Sequence, residues 1–174
     1  HKISVFCICM YAIFQIFGLI LANSDSVFAS EHLNADINLQ QSLTLNISTD
    51  TLNLDISPSE NSFGYKDLPV TVGTNNETGY ELTISTTGDN TALVNTADSN
   101  VVIETLPDLT GGYNESTFIE NKWGYKNGLS GNYFPFVSGA TILENDSSTA
   151  KDSTTLRFAS KVNYSQTPGT YATT

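Results

Sequence analysis

Period-two alternation of apolar and polar residues constrains this chain more than any other feature. Leu43, Leu45 and Ile47 alternate with polar residues in QSLTLNIST, and Leu52, Leu54 and Ile56 do so in TLNLDISP. Successive strand side chains point to opposite faces, so each run is the pattern of a half-buried strand with one apolar face. Leu68, Val70 and Val72 form a third run, and Tyr80, Leu82 and Ile84 a fourth. The turn-rich GTNNETG between them predicts a hairpin or two neighbouring strands. ALVNT, NVVIETL, NKWGYKNG and ATILEN supply further short strands, and Pro135 makes GNYFPFVSG an edge strand or a non-sheet segment. The longest alternation comes last. Leu156, Phe158, Ser160, Val162 and Tyr164 point one way; Arg157, Ala159, Lys161 and Asn163 point the other.

No amphipathic helix follows residue 30. Abundant Thr, Ser and Asn disfavour helix and suit strands and turns. Many short strands separated by turn signals predict an all-β domain, an antiparallel β-sandwich over residues 41–174, with a barrel as the alternative topology. Trp123, Tyr80, Leu82, Phe158 and Tyr171 are its expected core. The last strand is expected at the centre of a sheet or beside the first. It begins after the Pro168-Gly169 turn and reads as incomplete at Thr174, so the expectation is that the strand continues past this sequence or, as the alternative, that a strand-sharing neighbour completes it.

The start of the chain reads differently. Lys2 precedes the apolar stretch from Ile3 to Ala22, and Val27 and Ala29 occupy the small-residue positions of a secretory cleavage site. Residues 1–29 are therefore expected to be a signal-peptide helix and residues 30–40 a flexible segment. The alternative is an uncleaved anchor, since about 20 apolar residues span a bilayer. Cys7 and Cys9 both lie in this stretch, so the domain itself has no disulfide and depends on its apolar core.

Lys2 and Asp25 also precede residue 30, which leaves 6 cations against 17 acids and a net charge of −11. Such a charge repels nucleic acid and anionic lipid head groups, so neither nucleic-acid binding nor membrane insertion of the domain is expected. Nucleophilic catalysis needs a base beside its nucleophile, and His32 is the only histidine after the apolar stretch. Zinc-type clusters of His and Cys are not present in the sequence. These observations point away from an enzyme and predict no cofactor, although calcium suits the oxygen-rich loops around Asp89, Asp98 and Asp146. Aromatic residues concentrate between Trp123 and Phe136. Tyr125, Tyr133 and Phe134, if exposed together, would stack on sugar rings or bind a protein. Asn46, Asn76, Asn114, Asn145 and Asn163 each begin an Asn-x-Ser/Thr sequence, a glycosylation acceptor in a eukaryotic secretory pathway.

The segments TVGTNNETGYELTIST, NKWGYKNG followed by YFPF, and VNYSQTPGTYATT together resemble modules of bacterial secreted and cell-surface proteins. The resemblance covers most of residues 40–174. It implies an immunoglobulin-like β-sandwich, placed at the cell surface or secreted, whose role is structural or adhesive. The implied partners are other surface proteins or glycans. A carbohydrate-binding module and a pilus-like subunit completed by strand donation are the alternative functions.

Overall fold

A computed structural model describes residues 37, 39–59, 62–88 and 90–172. The expected signal peptide, and most of the segment 30–40, lie outside the described residues. All regular elements described are strands: β1 Leu43–Ile47, β2 Ser62–Thr74, β3 Tyr80–Ile84, β4 Leu93–Asn95, β5 Val102–Thr105, β6 Lys122–Asn127, β7 Ala140–Asn145, β8 Thr149–Val162 and β9 Tyr171–Ala172. Seven form one sheet in the spatial order β1-β2-β8-β6-β5-β4-β9, and β3 pairs with β7 in a second, smaller sheet.

The long pair β2–β8 is the spine. It runs in antiparallel register from Ser62 opposite Val162 to Thr74 opposite Thr149, with one irregularity between Val72 and Thr74. On one face, Val70 and Leu156 are buried with Ile142 of β7, and Leu68, Leu82 and Ile84 pack against them. Farther along the same face, Trp123, Val162, Ile103 and Phe136 are buried together, with Phe158, Tyr171 and Ile56 at their margin.

The predicted hairpin of β2 with β3 does not form. GTNNETG carries the chain out of the large sheet, and β3 pairs with β7 instead. Val70 and Val72 are each 2% exposed. Apolar side chains on a sheet need a second layer, and Leu82 and Ile84 of the second sheet supply it to Val70 and Leu156. Residues 52–56 are not a strand either, although their burial does alternate. Leu54 and Ile56 close over Gly64, where an added Cβ would stand 2.8 Å from Ile56 Cγ1. Conversely, the strands extend beyond the alternating runs, through Ser62–Asp67 at the start of β2 and Thr149–Asp152 at the start of β8.

Two further expectations are corrected. The large sheet is not wholly antiparallel, because β5 and β6 are parallel. Parallel neighbours need a crossover of a dozen or more residues, and residues 106–121 provide it. That crossover lies on the opposite face of the sheet, where Leu106, Tyr113 and Phe118 are buried with Tyr133 and Ala159. Both faces of β8 are thus covered at Ala159, which its alternation alone placed away from the core. The last strand is neither central nor beside the first. β9 pairs with β4 at the far edge, Val94 opposite Ala172 and Asn95 opposite Tyr171.

Four of the five Asn-x-Ser/Thr sequences are turns of one design. The side-chain oxygens of Asn76, Asn114, Asn145 and Asn163 accept hydrogen bonds from the backbone N–H two residues on, at 3.3, 2.9, 3.1 and 2.9 Å. The Ser or Thr hydroxyl donates to the same oxygen. An asparagine that reverses the chain through its own amide needs no glycine.

Candidate functional site

The aromatic segment divides between interior and surface. Trp123 lies in β6 on the face covered by Phe136, 5.2 Å between ring centroids, and its Nε1–H donates to the Thr91 carbonyl at 3.0 Å. Phe158 extends the stack toward Tyr125, 6.1 Å away. Tyr133, expected in an exposed patch, is instead 1% exposed. It meets Phe63 and Phe118 edge to face at 5.7 and 5.4 Å. The pleat separates it from its neighbour: Phe134 turns outward and is 43% exposed. Phe134 and the half-buried Tyr125 line a shallow recess of about 270 Å³ with Lys126, Asn127 and Asn132. Of the expected core residues, Trp123 is buried. Leu82, Phe158 and Tyr171 are half-buried against the clusters, and Tyr80 is half-buried with its hydroxyl donating to Asp152 at 2.8 Å.

Of the acids considered for calcium, Asp98 accepts from the backbone N–H and side-chain amide of Asn100, which closes a tight turn. Asp146 occupies the middle of the Asn145–Ser147 turn, and Asp89 lies outside the described residues. Among the described residues, no three His, Cys, Asp or Glu side chains group as a metal site would require.

A polar row crosses the sheet beneath Tyr133. Lys126, Arg157 and Asp67 stand directly opposite one another on β6, β8 and β2. Arg157 holds Asp67 through two hydrogen bonds, which keep the Asp67 carboxyl below its usual range and raise the guanidinium further. The Arg157 guanidinium also lies 3.9 Å from the centre of the Tyr65 ring, and Lys126 Nζ lies 4.7 Å from that of Tyr133. The Tyr133 hydroxyl is buried near the Arg157 guanidinium but makes no hydrogen bond of normal geometry among the described residues. Burial first, and the Glu115 charge second, push it upward in pKa. This row contains no activated nucleophile. Its cations are engaged by a carboxylate and by aromatic faces, an arrangement that ties β2, β8 and β6 together.

The surface that stands out is β1. Among the described residues it pairs with β2 alone and forms one edge of the large sheet. Leu43, Leu45 and Ile47 were expected to be half-buried. They are 67%, 50% and 52% exposed, on the same face as the buried Val70 and Val72 opposite them.

No family model, curated protein or solved structure matches the chain.

The β1 edge was missed because alternation reports which side chains share a face and not whether a second layer reaches them. One sequence signal did mark it. Residues 37–49 contain no charged side chain in a chain of net charge −11. Edge strands are commonly guarded by lysine, proline or a bulge, and this one carries none of those guards.

Proposed function

We propose that this chain is a non-enzymatic structural or adhesive module, secreted or held at the cell surface, whose described domain is an immunoglobulin-like β-sandwich. The layering of β3–β7 over the large sheet supports the sandwich, and the Val27-x-Ala29 site supports export. The observation that carries the function is the open β1 edge. Three apolar side chains, at least half exposed, line a sheet edge that has no second strand beside it among the described residues and so can accept one.

Beads displaying the full chain are expected to adhere to immobilised surface proteins of its source cells. Replacing Leu43 and Ile47 together by lysine is expected to weaken that adhesion by about tenfold or more, equivalent to about 1.4 kcal/mol. Unchanged adhesion of the double variant would sink the proposal.

The Tyr125–Phe134 recess favours a second function, glycan binding, since an exposed ring flanked by amides suits a sugar face. Saturable glycan binding that disappears in Phe134→Ala would favour it over the first.

A further inference from the structure

We infer that β1 is a self-association edge, which pairs antiparallel with β1 of a second copy about a two-fold axis at Leu45. The inference rests on the module function proposed above and names its partner.

The backbone phase of β1 is the first support. The Ser42 carbonyl accepts from Asn75 N–H at 3.4 Å, directly across the β1–β2 ladder. In an antiparallel ladder, bonded and non-bonded residues alternate. Thr44 opposite Gly73 and Asn46 opposite Thr71 therefore continue the bonded phase. The N–H and C=O groups of Leu43, Leu45 and Ile47 point the other way, toward the open edge. All five residues of the strand are exposed, and these three are the apolar ones.

The second support is the sequence of the strand, LTLNI, which is palindromic in polarity about Leu45. Turned on itself, it sets Leu45 opposite the partner's Leu45 and Leu43 opposite the partner's Ile47. Each of these pairs can exchange both of its outward backbone bonds. Every apolar side chain meets an apolar one on the face shared with Val70 and Val72, and Thr44 meets the partner's Asn46 on the other face.

Charge decides between a second copy and a different protein. Two molecules of net charge −11 repel at most points of approach. Residues 37–49 carry no charge, so contact there brings together uncharged segments. A basic partner would find no acid along this edge to pair with.

A strand of five residues buries much less than the roughly 1,200–2,000 Å² of a stable interface. The single contact is therefore weak and reversible. It gains strength where many copies are displayed side by side and effective concentration is high.

The test uses the full chain with Leu45→Lys and Leu45→Glu, separately and mixed, in sedimentation equilibrium across a range of concentrations. The wild type is expected to shift from monomer toward dimer as concentration rises. Each variant alone places like charges face to face and is expected to remain monomeric. The equimolar mixture sets lysine against glutamate and is expected to recover the dimer. A wild type monomeric at every concentration, variants that dimerise as the wild type does, or a mixture that fails to recover association would each overturn the inference. The bead assay separates this failure from that of the module function. Adhesion lost in L45K without recovery in the mixture means that the edge takes another protein, and self-pairing falls alone. Adhesion unaffected by the lysine pair at 43 and 47 removes the module function itself.

Discussion

Arg157 and Asp67 face each other across the β8–β2 pair through two nearly parallel hydrogen bonds, Nε to Oδ1 at 2.6 Å and Nη2 to Oδ2 at 2.8 Å. The arginine side chain is mostly sheltered and the aspartate about one-third exposed. The pair therefore stands between a surface bridge of little worth and a buried one whose breakage is severe. Asp67→Asn is expected to lower unfolding free energy by about 1–2 kcal/mol. Urea denaturation should show a lower midpoint with an unchanged slope.

Acid stability follows from the same pair. The Asp67 and Asp152 carboxyls are held below the usual range, Asp67 chiefly by its hydrogen bonds from Arg157 and Asp152 chiefly by that from Tyr80. A lowered folded-state pKa stabilises above the unfolded value, about 4, and that stability is lost as pH falls through the folded value. Unfolding midpoints measured below pH 4 should decline, and Asp67→Asn should decline less steeply than the wild type.

The alkaline side has the opposite sign. Burial, then the hydrogen bond to Asp152, push the Tyr80 hydroxyl up to about 12. A raised folded-state pKa stabilises fully below the unfolded value, about 10, and the contribution disappears as pH rises through the folded value. Tyr80→Phe is expected to flatten the loss of stability between about pH 10 and 12, read from denaturation midpoints along a pH series.

Gly124 sits where β6 passes under the crossover. A Cβ there would stand 2.6 Å from both Leu106 Cδ1 and the Phe134 carbonyl oxygen. The leucine can rotate and the backbone oxygen cannot. Gly124→Ala is expected to destabilise by about 1–3 kcal/mol, the usual cost of overpacking. A thermal melt with no shift would contradict this packing.

Tyr133→Phe is expected to act in the other direction. The hydroxyl is buried without a hydrogen bond of normal geometry among the described residues, and removing such a polar atom while keeping the ring relieves its desolvation cost. A gain of up to about 1 kcal/mol in chemical denaturation is expected, with the edge-to-face contacts to Phe63 and Phe118 retained.

Alternation along the chain identified most strands and the inward identity of Val70 and Val72, and it marked Leu54 and Ile56, which are half-buried outside any strand. It could not identify partners, because a period of two is the same whichever strand lies alongside. Pairing of β3 with β7 depends on the need to cover Val70 and Leu156, a demand that exists only once the sheet has formed. Tyr113 and Phe118 were hidden for a different reason: they sit in an irregular crossover with no period to reveal them. Tyr133 and Phe134 were inseparable in sequence because adjacent residues on extended backbone face opposite ways, and only packing says which way is inward. The β1 edge was legible as a strand and illegible as a surface, since exposure depends on where the second layer stops.

The asparagine turns carry a consequence for how this protein ages. Loss of ammonia from an asparagine side chain leaves a carboxylate, and a carboxylate accepts from the backbone as well as the amide oxygen did. The turn itself would survive. The cost falls on the other half of the amide: Asn163 Nδ2 donates to Glu120 at 2.6 Å, and Asn145 Nδ2 contacts Asp152 at 3.4 Å. At those two positions slow deamidation would set carboxylate against carboxylate, whereas at Asn114 it would pass almost unnoticed. Chemical wear would therefore first loosen the ends of β7 and β8, in a chain that already has acid in excess.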